Sequence, residues 1–299
     1  MKHQQLAIGE TGDPIELREA RPEDAEAAGL IMFRAFESFH RSRGYQPDFP
    51  DAAAAIGLAA AQIADPSVFG VVAVRGGRVI GSNFLTEGDP IRGVGPISVD
   101  PSDQGHGVGR LLMRAVIDRA AGAPGIRLCQ DTFNGLSMAL YAELGFNARE
   151  PLALLSGRPK SGPVPNGSAR PFAEGDLDAA GALARRVTGF DRLSDLRVAL
   201  ARGRAVAFSR NDRLVGYMTA PDFWLLNHAV AETEADLKAV ILGAAALTEG
   251  PLGFLLPIRR AALFRWCLGQ GFRVVKPMTL MSRGAYADPD GGYLPSVMY

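Results

Sequence analysis

Apolar residues recur with two different periods along the first half of the chain, and each change of period marks the edge of an element. The segment "IELREA" (15–20) reads as a short strand. Pro22 then suits the first turn of a helix, with the acids Glu23 and Asp24 beside it. Ala28, Ile31, Met32, Ala35, Phe36 and Phe39 recur at helical spacing. "FGVVAVRGGRVIGSNFL" predicts a hairpin turning at Gly76-Gly77. "GVGPISV" predicts a further strand, and "GRLLMRAVIDRAAG" a helix stopped by Gly122 and Pro124. After these come a strand at "IRLCQD", a helix "NGLSMALYAELG" ending at Gly145, and "FNARE" leading into a last strand. The order is βα, three strands, then αβαβ. This is a mixed α/β unit with a strand, a glycine-rich loop and a helix at its centre.

The same unit is written twice. "RPEDAEAAGLI" (21–31) is echoed by "AEGDLDAAGAL" (173–183), and "VRGGRVIGSNF" (74–84) by "SRNDRLVGYMT" (209–219), which pairs Gly81 with Gly216. "LYAELGF" (140–146) is echoed by "RWCLGQGF" (265–272). The offset shrinks along the chain, as it would if the second copy had kept its elements and lost loop residues. Between the copies, "SGRPKSGPVPNGS" (156–168) is too rich in proline and glycine for a regular element and reads as a linker. The expected division is an N-terminal tail (1–14), a first domain (15–155), the linker (156–168), a second domain (169–284) and a C-terminal tail (285–299) docking on the domains.

Composition narrows the classes. The chain has 299 residues, 47% hydrophobic and 21% charged, enough for one large or two ordinary globular domains. Its 32 Lys and Arg balance 32 Asp and Glu, so no overall field favours nucleic acid or an anionic membrane. Any polyanion must be held locally. The longest apolar runs fall well short of the roughly 18 residues that cross a bilayer. The start lacks an apolar signal region, so no secretion signal is expected. Cys129 and Cys267 form neither a disulfide framework nor a metal cluster, and a cytoplasmic chain with no metal site is expected.

The informative stretch is "QGHGVGR" (104–110), between a strand and a helix. A helix beginning there offers unpaired N–H groups and the positive end of its dipole. Glycines permit positive φ and let a bulky anion reach the main chain. Gln104, Gly105, His106, Gly107, Val108, Gly109 and Arg110 therefore read as a diphosphate cradle, with the Arg110 charge suited to a phosphate oxygen. The run is not a Walker A loop, which needs GxxxxGK followed by Ser or Thr. Nor is it a dinucleotide fingerprint, which belongs in the first βα turn.

"VDPSDQGHGVGRLLM" followed by "NGLSMALYAELGF" resembles the Gcn5-related N-acetyltransferase (GNAT) family, whose coenzyme motif is Gln/Arg-x-x-Gly-x-Gly/Ala after a strand and before a helix. The whole chain resembles its tandem members. The resemblance implies two tandem GNAT-like domains in the α/β (mixed α+β) class, each a mixed, mostly antiparallel sheet flanked by helices. It implies acetyl-CoA as cosubstrate, its diphosphate on the Gln104–Gly109 amides and Arg110. The strand Pro96 to Val99, with Ile97, Ser98 and Val99, would pair with the pantetheine arm. Asn134 would reach the pantetheine, and the Tyr141 hydroxyl would meet the thioester sulfur as the acid.

For the base, Glu87 and Asp131 are candidates, each also readable as a solvated loop acid, with a water relayed by backbone carbonyls as an equal alternative. "FRAFESFHRSRGYQPDFP" (33–50) holds Phe36, His40 and Tyr45, which would wall the acceptor pocket; these aromatics could equally pack under the loop, leaving His40 at the surface. In the second copy the glycine run falls on "AVAETEAD" (229–236), acidic and without glycine, and Tyr141 meets Trp266 or a neighbour. That copy is therefore not expected to bind coenzyme A. It would bury an edge of the first domain as a built-in partner, making the chain a monomer with pseudo-dimeric domains. The activity implied is acetyl transfer to a primary amine of a small molecule or protein, by direct attack in a ternary complex, with no nucleic acid or membrane partner. A non-catalytic acetyl-CoA sensor, or an acyltransferase using a longer acyl-CoA, are the alternatives.

Overall fold

The computed structural model describes residues 5–8 (backbone only), 14–160, 164 and 167–298. The chain forms two compact units, Met1–Glu87 with Arg92–Ile126, and Gly88–Ile91 with Arg127–Tyr299.

The first unit begins with β1 (Gln5–Ile8), antiparallel to β2 (Pro14–Glu19). Residues 5–8 of the expected tail are thus strand, because β1 covers the outer edge that β2 would otherwise leave unpaired. After one tight turn at Pro22–Asp24 comes α1 (Ala25–Arg41). That turn is held by the Asp24 carboxylate, which accepts from the Arg21 amide at 2.8 Å and from both terminal nitrogens of Arg18 at 2.6 and 2.7 Å. Next is α2 (Ala52–Ala64), capped by the Asp51 carboxylate, which accepts from the Ala54 amide at 2.8 Å. The two helices touch at Gly29, where an added Cβ would lie 2.4 Å from Ile56 Cα.

β3 (Val68–Arg75) and β4 (Arg78–Thr86) form the expected hairpin, with Gly76 and Gly77 at φ of 55° and 76°. β5 (Ile91–Val94) and β6 (Ser98–Val99) both pair antiparallel with β4, and residues 95–97 break the line between them. On this sheet lies α3 (Val108–Arg119), whose Leu112, Met113 and Val116 are fully buried. Burying each such side chain is worth about 1.5–3 kcal/mol, so the helix and the loop preceding it are firmly seated.

The second unit takes in β7 (Gly125–Asp131, from Arg127 on), α4 (Gly135–Glu143) and β8 (Asn147–Gly157). Then follow β9 (Ser168–Pro171), α5 (Leu177–Thr188), α6 (Leu193–Ala201), β10 (Val206–Arg210), β11 (Arg213–Met218) and β12 (Ala229–Ala231). The last elements are α7 (Glu234–Leu247), β13 (Leu252–Pro257), α8 (Ala261–Gln270), β14 (Arg273–Gly284) and β15 (Gly292–Leu294). One antiparallel sheet runs β15-β12-β11-β10-β9, and another run of strands has the order β7-β14-β8-β13.

The repeat is visible in atoms. Asp176 accepts from the Ala173 amide at 2.8 Å and from Arg170 at 2.6 and 2.7 Å, the same device as Asp24, Arg21 and Arg18. The β10–β11 turn replaces Gly76-Gly77 with Asn211 and Asp212, at φ of 49° and 58°. The copies also exchange an arm. β8 closes the first copy in sequence, yet it lies between β14 and β13 of the second, with Leu155 opposite Phe254 and Leu152 opposite Met278. That exchange draws residues from Arg127 onward into the second unit. Ser156 and Gly157 of the predicted linker are the end of β8, opposite Gly253 and Leu252, while 161–163 and 165–166 lie outside the described residues.

Candidate active site

In the first unit the glycine run forms a left-handed entry to α3. Gly105 and Gly107 have φ of 83° and 80°, and Gly107 is the N-cap. A Cβ added at either would meet nothing within 4 Å, so these glycines serve backbone conformation and leave open space above the loop. The Gly107 carbonyl accepts from the Leu111 amide at 3.1 Å, which leaves the amides of the first turn directed outward, ahead of the first intrahelical bond. Arg110 is half-buried in that turn. His106 is half-buried too, and its Nδ1 is shielded without a hydrogen-bond partner among the described residues. A buried polar atom left unmet beside an open, donor-rich loop fits an absent polar ligand.

The loop is braced from below. Asp103 accepts from Arg75 at 2.6 Å and from Arg78 at 2.8 Å, and Asp100 accepts from the Ser102 amide at 3.0 Å. The Gln104 amide group donates to the Val99 carbonyl at 3.1 Å, tying the loop to β6. β6 pairs with β4 along one edge, Gly81 opposite Val99 and Ser82 opposite Ser98. A Cβ on Gly81 would come within 2.7 Å of the Ser98 carbonyl, so only glycine lets these strands approach so closely. Ile97 and Val99 are half-buried and Ser98 is buried. The other edge of β6 carries no strand among the described residues, which suits an extended arm entering beside it.

Phe36, His40 and Tyr45, expected to wall an acceptor pocket, also lie in this unit. Phe36 and His40 belong to the last turns of α1 rather than to a loop. His40 is fully buried rather than at the surface, its Nδ1 2.7 Å from the Phe36 carbonyl and its Nε2 3.7 Å from Asp48. Phe36 stacks on it, and Tyr45 is half-buried in the turn that follows. Glu87 sits at the end of β4 in a two-pronged ion pair with Arg119, the last residue of α3, at 2.9 and 3.1 Å. Arg119 stands at the end of α3 opposite the glycine run, and the Glu87 oxygens are already engaged by it. Glu87's neighbour Asp89, in the second unit, accepts from the amides of Ser194 and Asp195 at 2.9 and 3.3 Å and so caps α6.

The second unit holds the other candidates. Tyr141, on α4, is buried against Phe146 with ring centroids 6.2 Å apart. Burial pushes its hydroxyl up to about 12, opposed by a hydrogen bond with Ser137 and reinforced by the charge of Asp131. Asn134 is the N-cap of α4, its carbonyl oxygen accepting from the Ser137 amide at 3.1 Å. Asp131 faces Lys276 of β14 at 2.8 Å. Lys276 is 1% exposed, and its ammonium stands 5.1 Å from the Trp224 ring centroid. In the sequence Lys276 shows only as a lone charge inside the apolar run "VVKPMTLM".

The second copy has rebuilt its site. Residues 100–107 separate β6 from α3, whereas only Glu232 and Thr233 separate β12 from α7. Thr233 caps that helix, accepting from the Asp236 amide at 3.1 Å, and the Asp236 carboxylate is paired with Arg210. The residue equivalent to Tyr141 is Cys267, the neighbour of Trp266. The Phe146 amide donates to the Tyr141 carbonyl at 2.9 Å, and the Phe272 amide to the Cys267 carbonyl at 3.1 Å. Cys267 is fully buried, and desolvation pushes its thiol up to about 12. β12 occupies the place of β6, with Gly216 opposite Ala231 as Gly81 is opposite Val99. Its free edge is filled by β15, which sets Leu294, Tyr293 and Gly292 opposite Ala229, Val230 and Ala231. A Cβ on Gly292 would come within 2.8 Å of the Thr233 carbonyl and of Leu237, so the strand seats closely.

Residues 29–146 match the acetyltransferase (GNAT) family. The mixed α/β fold with its two sheets has tandem GNAT proteins among its structural neighbours. A tandem GNAT protein from the clavulanic acid biosynthesis pathway superposes with a TM-score of 0.56 at 14% identity, over 92% of this chain and 100% of that one. An acetyltransferase structure from Pyrococcus horikoshii gives a TM-score of 0.71 at 16% identity, over 93% of this chain and 91% of that one. A mycothiol acetyltransferase of Thermobifida fusca is 36% identical over 98 residues, which are 29% of this chain and 30% of that protein. The chain thus spans under a third of this curated relative. Among the described residues no helix is long and apolar enough to cross a membrane.

Proposed function

We propose that the chain is an acetyl-CoA-dependent N-acetyltransferase acting on a primary amine of a small molecule or protein, with the chemistry confined to the first sequence copy. The left-handed Gly105–Gly107 entry to α3, open above and braced below by Asp103, carries this reading. Coenzyme A would bring an activated acetyl thioester. The amides of Gln104 to Gly109 and the Arg110 guanidinium hold the diphosphate. The backbone of Ile97 to Val99 aligns the arm as an added strand, and the family resemblance assigns Asn134 to the pantetheine. Proximity of the two reactants supplies much of the rate, so no dedicated strong base is required. With Glu87 and Asp131 both bound to cations, the amine's proton leaves through water. The Tyr141 hydroxyl gives its proton to the departing sulfur. The Thermobifida relative named for acetyl transfer supports the reaction class and leaves the acceptor undefined.

Calorimetric titration of the whole chain with acetyl-CoA, followed by a thiol-release assay over a panel of amines, tests this. One site per chain and amine-dependent release are expected. Two sites would overturn the account of the second copy, no binding would overturn the cradle, and binding without release would favour the sensor. The pH profile gives a separate expectation. Burial keeps Tyr141 protonated to about 12, so its ionisation is complete only above that value. Turnover is therefore expected to stay level from about pH 8 to about pH 10 once the acceptor amine is neutral. A falling limb in that range that vanishes in Tyr141→Phe would remove Tyr141 from the role of acid.

A further inference from the structure

The second unit contains a cavity of about 510 Å³ that the proposed acetyl transfer does not use. Its sides are the end of α6, the β11–β12 connection and the residues following β15. Val198, Phe223, Leu226 and Met298 give it an apolar body, and the buried Thr219 and Ser296 give it a polar floor. This volume lies within the roughly 300–1,000 Å³ range of sites that enclose small molecules.

The charged residues around it differ in how they are engaged. Asp195 is paired with the buried Arg192, which also donates to the Ser296 hydroxyl at 2.9 Å. Arg204 is paired with Asp222 at 2.8 Å. Arg202, the C-cap of α6, lines the same cavity and makes no ion pair among the described residues. Of the three charged residues that line the cavity, Asp195 and Arg204 are thus already paired and Arg202 is not. A guanidinium beside an apolar chamber selects a carboxylate, which it can hold through two parallel hydrogen bonds.

We infer that the second copy, having lost its coenzyme groove, is a binding module for a small amphipathic monoanion: a carboxylate at Arg202 with an aryl or alkyl body against Phe223, Leu226 and Met298. Ser296 and Met298 follow directly from the strand that fills the old groove, so the same segment closes one site and walls the other. This inference does not depend on acetyl transfer by the first copy, and its test contains no acetyl-CoA.

The probe is 4-phenylbutyrate, titrated calorimetrically into the full chain, with 4-phenylbutyramide as its neutral isostere. One saturable site per chain is expected, with the acid bound about tenfold or more tightly than the amide. Arg202→Glu reverses an exposed charge and is expected to weaken the acid by about tenfold or more while leaving the amide unchanged. Arg197→Glu, an exposed arginine of the same helix outside the cavity, is expected to leave both within about twofold. Absence of saturable binding, equal binding of acid and amide, or an acid affinity indifferent to Arg202→Glu would each overturn the inference.

Discussion

Gly107→Glu is expected to lower acetyl-CoA affinity by about 100-fold or more, equivalent to about 2.7 kcal/mol, while the chain keeps its fold. Two effects combine at this position. The residue caps α3 at φ of 80°, where an L side chain costs about 1–2 kcal/mol. The carboxylate also projects into the open space above the loop, where a diphosphate would sit, and it competes for the same helix amides. The core is untouched, since an added Cβ meets nothing within 4 Å. Gly107→Ala separates the effects: it carries the backbone strain without the charge and should fall between the two. Calorimetric titration of both variants, with circular dichroism as a check on folding, decides the matter. An unchanged affinity for Gly107→Glu would refute the cradle.

Tyr141→Phe is expected to reduce turnover by about 100-fold, within the usual range for losing a positioned acid, with acetyl-CoA affinity unchanged to within about threefold. The ring remains to pack against Phe146, so the loss is confined to the hydroxyl and its hydrogen bond with Ser137. That bond is worth about 0.5–1.5 kcal/mol, and a small fall in melting temperature should accompany the kinetic effect. Steady-state kinetics beside a binding isotherm distinguish the outcomes. Equal turnover would leave Tyr141 a core residue only, and a parallel loss of affinity would point to collapse of α4.

The fold class was legible because period and punctuation agree within each copy. Pro22, the Gly76-Gly77 turn and Gly145 all stand where elements begin, turn or end. The left-handed entry to α3 was legible because glycine there meets a backbone requirement that other residues rarely can. What stayed hidden depends on partners distant in sequence. Nothing in "LALLSG" states that β8 will lie between β14 and β13, since a buried strand shows the same apolar run whatever flanks it. Lys276 looks like an error in an apolar strand until Asp131 and Trp224 are placed beside it. His40 can be read as a surface residue at the end of an amphipathic helix, and only the folded chain brings Asp48 to its Nε2. Glu87 passes for a free loop acid until α3 delivers Arg119 to it.

The strand β15 makes the two copies unequal in a further respect. Seated along β12, it acts as a ligand that can never be diluted, because a tethered segment meets its groove at an effective concentration in the mM range or above. Among the described residues the first unit has no such resident. On the proposed function its stability rises with coenzyme supply, by about 2.7 kcal/mol when the free coenzyme reaches about 100 times its dissociation constant. A shortage of acetyl donor would therefore be felt as a loosening of one half of the molecule, open to proteases and heat, while the half that carries its own occupant keeps its shape.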